Sequence, residues 1–139
     1  MRFWDSSAVI PLLVGEKATG VILDLVASDR QMHVWWGTEI ECVSTLARLE
    51  REGIDASIIE GALARLAALR EDWSEIAPGS AVREVAKRFL RVHALRAADS
   101  LQLAAAWILA DGQPDSVTLV SLDDRLRTAA RREGLPVLP

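Results

Sequence analysis

Four times in this chain an acidic residue stands where a strand-like run or a turn gives way to a helix. These are Asp5 in RFWDSSAVIPLL, Glu41 in WWGTEIECVSTLARLEREG, Asp99 in LRAADSLQLAAA and Asp123 in TLVSLDDRL. Asp5 and Asp123 directly follow short apolar runs with strand character, and Glu41 follows the run HVWW. Strand-like runs alternating with helical segments predict an α/β fold with a central, mostly parallel sheet flanked by helices. In an open parallel sheet the carboxyl ends of the strands share one edge, and ligands bind at that edge. Acids far apart in sequence can therefore meet. Clustered carboxylates repel one another and raise a pKa unless a cation neutralises them. A hard divalent ion, Mg²⁺ or Mn²⁺, suits that need because it takes oxygen ligands and keeps several waters.

The remaining pattern supports one domain over residues 1–139. Residues 2–5 read as a first strand, followed from Ser6 by a short helix that Pro11 perturbs. Residues 16–28 are amphipathic, with Val21, Ile22, Leu25 and Val26 at helical spacing. His33–Trp36 reads as a second strand, after which Thr38 caps a helix running to Glu52 and ended by Gly53. Asp55 or Ser57 caps the next helix, whose expected buried stripe is Ile58, Ile59, Ala62, Leu63, Leu66 and Ala67. Trp73–Ile76 reads as a third strand, closed by Pro78-Gly79. Ser80 opens a helix with Val82, Val85, Ala86, Phe89 and Leu90 on its apolar face. Residues 97–110 are apolar nearly all round, as a helix inside a domain should be. Gly112–Ser116 reads as a loop, Val117–Val120 as a strand, Asp123–Glu133 as a helix and Pro136–Leu138 as an edge strand.

Half of the residues are hydrophobic, which argues against disorder. No run reaches the roughly 18 apolar residues of a membrane span. Asp5 and Glu16 interrupt and bound the apolar stretch near the start, so a signal peptide is not expected. Cys42 is the single cysteine, which excludes an intramolecular disulfide and a thiolate metal site. The cytoplasm is the expected compartment. A net charge of −4 looks wrong for a nucleic-acid binder, yet carboxylates that hold a metal make the bare sequence more acidic than the loaded protein.

Each acid also has a purely structural role open to it. Asp is a preferred N-cap, which suits Asp5 and Asp123. Thr38 and Glu41 match a capping box, and Asp99 could cap its helix with Gln102 three residues on. Two features shift the balance toward a site. The expected topology brings at least three of the acids to one edge, and Asp99 begins a helix with almost no polar face, a costly place for an unpartnered charge.

On these stretches the chain resembles the PIN-domain ribonucleases, and among them the VapC-type toxins of toxin–antitoxin pairs. WDSSAVIPLL resembles the family's first strand with its metal-binding Asp and following Ser/Thr, here Asp5 and Ser6. IECVSTLARLEREG is similar to the helix carrying the family's Glu, here Glu41. LRAADSLQLAAA resembles an Asp followed by an alanine-rich helix, here Asp99. TLVSLDDRLRTAARREGLPV resembles the C-terminal strand–Asp–helix unit, here Asp123. Glu39 competes with Glu41 and Asp124 with Asp123; the spacings to Leu46, Arg48 and Leu126 favour Glu41 and Asp123. The resemblance covers nearly the whole chain. It implies a PIN domain that hydrolyses RNA phosphodiester bonds with Mg²⁺ or Mn²⁺. Asp5 and Asp99 are then the direct metal ligands, and Glu41 and Asp123 complete the catalytic site directly or through water. Ser6 or Ser121 would orient a ligand or a water. A small antitoxin whose tail lies across the site, and a homodimer, are implied in the same way.

Two rivals have distinct signatures. A phosphatase of the haloacid-dehalogenase kind also ends its first strand on an Asp, but needs a second Asp two residues on, where this chain has Ser7. A catalytically silent module would keep the fold and partner surface only. Elsewhere, Arg96 is placed either to touch a phosphate or to pair with an acid. Arg83, Lys87 and Arg91 recur along one helix face, as either an RNA track or a solvated surface. His33 and His93 lack metal-ligand spacing and read as structural, the tryptophans read as core or interface residues, and Cys42 as a small buried hydrophobe. Substituting Ser7 or His93 by Ala is expected to cost little cleavage rate.

Overall fold

The computed structural model describes residues 1–139. Its strands are β1 (Arg2–Trp4), β2 (His33–Trp35), β3 (Ser74–Ile76), β4 (Thr118–Val120) and β5 (Val137–Leu138). Its helices are α1 (Ser6–Leu13), α2 (Thr19–Ser28), α3 (Thr38–Arg51), α4 (Ala56–Asp72), α5 (Ser80–Val92), α6 (Ala97–Ala110) and α7 (Asp124–Arg132). The five strands form one parallel sheet in the order β3-β2-β1-β4-β5. The chain moves outward from β1 to β2 and β3, then crosses back to β4 on the other side of β1. The strand order therefore reverses between β1 and β4, and a crevice forms beyond the carboxyl ends of those two strands.

Successive strand residues face opposite sides of the sheet, and this sorts the core into two layers. Phe3, Trp35 and Leu119 pack with α5, α6 and α7 residues such as Phe89, Leu103 and Leu126. Trp4, Val34 and Val120 pack on the other side with Leu13, Ile22, Cys42, Leu46, Ile59 and Leu66. Strands of two or three residues suffice because both faces are covered and each strand is held by neighbours rather than by length.

Several sequence expectations need correction. Thr38 does not cap α3. It is the first helical residue, the N-cap is Gly37, and no side chain caps that end. A Cβ on Gly37 would lie 2.5 Å from the indole Nε1 of Trp35, so the close approach of β2 to α3 requires glycine there. Buried Thr38 instead accepts a hydrogen bond from Gln102 Nε2 at 3.1 Å. Ile58, Leu63, Ala67 and Leu90, expected in buried stripes, are exposed, because α4 buries only the face of Ile59, Ala62 and Leu66 and α5 only that of Val82, Ala86 and Phe89. Helix α2 begins at Thr19 rather than Glu16, since Glu16 N–H bonds to Thr19 Oγ1 at 2.9 Å and forms the turn before the helix. The loop at Gly112–Ser116 contains a 3₁₀ turn at Pro114–Ser116. No helix is long and apolar enough to cross a membrane.

Candidate functional site

Asp5 leaves β1 at the crevice and caps α1. Its Oδ2 accepts from Ser7 N (3.3 Å), Ser7 Oγ (2.5 Å) and Ser121 Oγ (3.0 Å). Its Oδ1 meets only Ser6 Oγ, at 3.4 Å. One carboxylate oxygen is thus fixed by the fold and the other is nearly free. Ser7 Oγ also accepts from Leu122 N at 2.9 Å, and Ser121 Oγ accepts from Asp123 N at 3.1 Å. These two hydroxyls stitch the β1–α1 junction to the β4–α7 junction across the crevice.

Asp123 is the N-cap of α7, and its Oδ1 accepts from Leu126 N at 2.8 Å. Asp99 lies in the first turn of α6, where its Oδ2 accepts from Arg96 N at 3.3 Å. In both residues the second oxygen has no hydrogen bond. Asp5, Asp99 and Asp123 line one polar cavity of ≈380 Å³ together with Ser6 and Ser7. Glu41 does not line that cavity. Its Oε2 accepts from Ser6 Oγ at 2.8 Å and its Oε1 from Gln102 Nε2 at 3.2 Å, so it reaches the cluster through Ser6.

The neighbouring acids are placed elsewhere. Glu39 pairs with Arg70 Nε at 3.1 Å, and the Asp124 side chain is 97% exposed. His33 and His93 stand outside the cluster. His33 Nδ1 lies 3.3 Å from Arg2 O, and buried His93 sets Nε2 2.7 Å from Glu133. Cys42 is buried, and burial pushes its thiol up to about 12, which keeps it protonated and inert. Trp4, Trp35 and Trp73 are buried, whereas Trp36 is exposed.

Electrostatically the cluster is strained. Burial raises the pKa of Asp5, opposed by its bonds to Ser7 and Ser121, and the charge of Asp99 raises it further. Burial lifts Glu41 from its ordinary 4.5 to about 7 against its bonds to Ser6 and Gln102, with Asp5 and Asp99 adding to the rise. Asp99 is raised by burial and by Asp123, while Arg96 and Arg125 pull it down. A cation would relieve all three.

The oxygen-only donor set fits Mg²⁺ or Mn²⁺ and lacks the nitrogen and sulfur ligands of a structural zinc site. No three acidic, histidine or cysteine side chains stand close enough together to hold one ion directly. A hard ion that keeps several waters and uses only one or two carboxylates is compatible with that spacing. Asp5, Asp99 and Asp123 each keep one oxygen largely free of the fold at the cavity, and one or two of these would carry such an ion.

Sequence reasoning missed two contributors. Ser7 anchors Asp5, and the signal was present in the D-x-S spacing, which lets an Asp accept from the residue two positions on. Gln102 is fully buried and joins Thr38 to Glu41; a lone amide within an apolar helix was its signal.

No protein-family model matches this sequence, and no curated protein is detectably similar to it. Solved structures are similar in fold. A toxin–antitoxin complex from Klebsiella pneumoniae aligns at TM-score 0.69 and 15% identity, over 100% of this chain and 97% of that one. FitAcB from Neisseria gonorrhoeae gives the same values. PAE2754 from Pyrobaculum aerophilum aligns at TM-score 0.65 and 17% identity, over 98% of this chain and 87% of that one. The chain has a PIN-like α/β fold.

Proposed function

We propose that this protein is a Mg²⁺- or Mn²⁺-dependent endoribonuclease that acts as the toxin of a toxin–antitoxin pair in the cytoplasm. The observation that carries this reading is the division of labour within three carboxylates. Asp5, Asp99 and Asp123 each commit one oxygen to the fold and leave the other on a shared polar cavity. The resemblance of the sequence and the likeness to a solved toxin–antitoxin complex support the same reading.

A bound ion would lower the pKa of a water and offset negative charge on the phosphodiester. The protein's own residues do the positioning. Ser7 and Ser121 fix Asp5, Arg96 N–H fixes Asp99, the first turn of α7 fixes Asp123, and Glu41 acts through Ser6 or a water. Ser7 uses its hydroxyl on Asp5 and Leu122 N, which leaves the second acid of a dehalogenase-type phosphatase without a counterpart.

The partner in this reading is a small antitoxin that presents an arginine to the cluster, because guanidinium pairs strongly with carboxylates. Apolar residues of its tail would fill the groove of ≈330 Å³ lined by Leu12, Leu23, Val26, Ala68 and Leu69. Helix α1 links groove and cluster, since Ser6, Ser7 and Ile10 line the acidic cavity and Leu12 the apolar one. A homodimer belongs to the same reading: Trp36, Ile40 and Val43 are 53%, 67% and 39% exposed around the start of α3.

Incubation of the purified protein with RNA tests the reading. Cleavage should require Mg²⁺ or Mn²⁺, stop in EDTA, and fall by orders of magnitude in Asp5→Asn. Robust cleavage in EDTA refutes it. The wider spacing of the acids favours one alternative, a silent partner-binding module, which requires that Mn²⁺ titration show no binding that depends on Asp99.

A further inference from the structure

The cavity that holds the carboxylates does not end at them. Asp99 and Asp123 also line a second cavity of ≈300 Å³, whose other walls are Arg96, Asp124 and Arg125. Asp124 and Arg125 in turn line a third, of ≈260 Å³, with His93, Thr128 and Arg132. Three depressions therefore run in series from the cluster along α7, each sharing two residues with the next. Arg125, Thr128 and Arg132 fall at positions i, i+3 and i+7 of α7, so they lie on one helical face. At about 1.5 Å per residue that row extends about 10 Å from the end nearest the carboxylates.

The sign of the charge changes along this series. Asp5, Asp99 and Asp123 dominate its start, and Arg96, Arg125 and Arg132 dominate its continuation. None of these three arginines makes an ion pair or donates a side-chain hydrogen bond within the chain. Of the other arginines on α5 and α7, Arg88 and Arg127 are engaged, whereas Arg83, Arg91 and Arg131 are unpaired and line none of the three cavities. Arg127 donates to Pro139 O, and Arg88 pairs with Glu133 at 3.3 Å. The single acid on the continuation is Asp124, whose side chain is 97% exposed and 3.9 Å from Arg127. Arg83, Lys87 and Arg91 of α5 line none of these three cavities, and Lys87 is paired with Glu84 at 3.1 Å.

We infer that Arg96, Arg125, Thr128 and Arg132 form a binding track for the phosphate backbone of single-stranded RNA, leading out of the carboxylate centre along α7. The inference rests on the ribonuclease reading and adds to it a direction and a set of contacts. Arg125, shared by the second and third cavities, holds the phosphate beside the centre. Thr128 and Arg132 hold the strand beyond it. The track also resolves the charge problem of an acidic protein with a polyanionic substrate: the cationic groups are few but consecutive and unpaired. An exposed row of this kind reads phosphates and not bases, so it positions the strand without choosing its sequence.

The magnitude follows from counterion release. For a single strand, log affinity falls with log salt at about 0.7 per phosphate contact. Losing two contacts removes about 1.4 from that slope, which is about tenfold in affinity at 0.2 M salt and about 60-fold at 0.05 M. The measurement is fluorescence anisotropy of a fluorescein-labelled single-stranded RNA 12-mer in EDTA, where cleavage is silent, over a salt series. Circular dichroism checks that each variant is folded. Arg125→Ala/Arg132→Ala should lose affinity and slope by these amounts, and Arg125→Lys/Arg132→Lys should recover the slope. Asp124→Asn should bind more tightly than wild type. Arg83→Ala/Arg91→Ala should stay within about twofold of it. The inference falls if the Arg125/Arg132 double alanine variant matches wild type in affinity and slope, or if wild type does not bind the RNA. Its failure is separable from that of the nuclease reading. Binding that depends on Arg125 and Arg132 without any cleavage in Mn²⁺ would leave the track and remove the nuclease. Asp5-dependent cleavage with RNA affinity indifferent to both arginines would do the reverse.

Discussion

Replacing Glu41 by Gln should stabilise the metal-free protein at neutral pH, and the gain should disappear in acid. Glu41 lies between Ser6 Oγ and Gln102 Nε2, and burial lifts its pKa from 4.5 to about 7. A raised folded-state pKa means that the native protein prefers the protonated form. The associated stability is fully present below about pH 4.5 and is lost as pH rises to about 7, beyond which the loss levels off. At about 1.4 kcal/mol per pKa unit the total is about 3 kcal/mol, and the part of Glu41 still in contact with water brings the expected value nearer 2 kcal/mol. Glutamine keeps the shape and never ionises. Its carbonyl can accept from Gln102 and its amide can donate to Ser6, so little is lost in acid. Urea denaturation in EDTA at about pH 4 and about pH 8 measures the effect. The Glu41→Gln advantage should grow by about 2 kcal/mol between the two. The same difference at both pH values would refute the claim that Glu41 is a buried, strained acid in the metal-free state.

Three further outcomes are expected. Ser7→Ala should cost about 1–3 kcal/mol in urea denaturation, because buried Asp5 loses a donor and Leu122 N loses its acceptor; unchanged stability would contradict the network. Calorimetry should show Mn²⁺ binding weakened at least tenfold by Asp5→Asn or Asp99→Asn and untouched by Cys42→Ser; equal affinity in wild type and Asp99→Asn would sink the metal assignment. Mn²⁺ affinity should keep rising with pH beyond the ordinary carboxylate range, as the ion displaces protons from carboxylates held high by burial; a flat profile would show that these acids do not take part.

Much of this was legible in the sequence because its signals are local. Asp5 and Asp123 follow the strands β1 and β4, and Asp55 and Asp123 occupy the cap positions their spacing announced. The apolar segment 97–110 is a helix with most of its face buried. What was not legible depends on residues meeting across the sheet. Thr38 and Glu41 have the spacing of a capping box, yet both turn toward Gln102 on α6, because a buried amide competes for their oxygens. Ser7 looked dispensable on its own; its importance comes from Ser121 and Leu122, brought beside it by the pairing of Trp4 with Val120. Leu90 follows helical spacing but is 41% exposed, because the face of α5 that packs into the core carries Val82, Ala86 and Phe89 instead.

The protein contains its own control for distinguishing a cap from a site. Asp55 and Asp5 sit in the same local motif, an N-cap Asp that accepts from both the backbone N–H and the hydroxyl of a serine two residues on. At Asp55, exposed at the start of α4, those bonds lower the pKa, as capping should. At Asp5 the same bonds, with Ser121 added, fail to offset burial and a second carboxylate, and the pKa rises. Capping alone does not explain an ionisable group there, because Asn caps a helix as well as Asp without a charge to bury. The positive ends of α1, α3, α6 and α7 each receive one of the four acids, and each offsets only a fraction of a charge. The remaining charge of Asp5, Asp99 and Asp123 lies at the cavity, and on the function proposed above a cation, either the metal ion or the arginine of an inhibitor, would balance it.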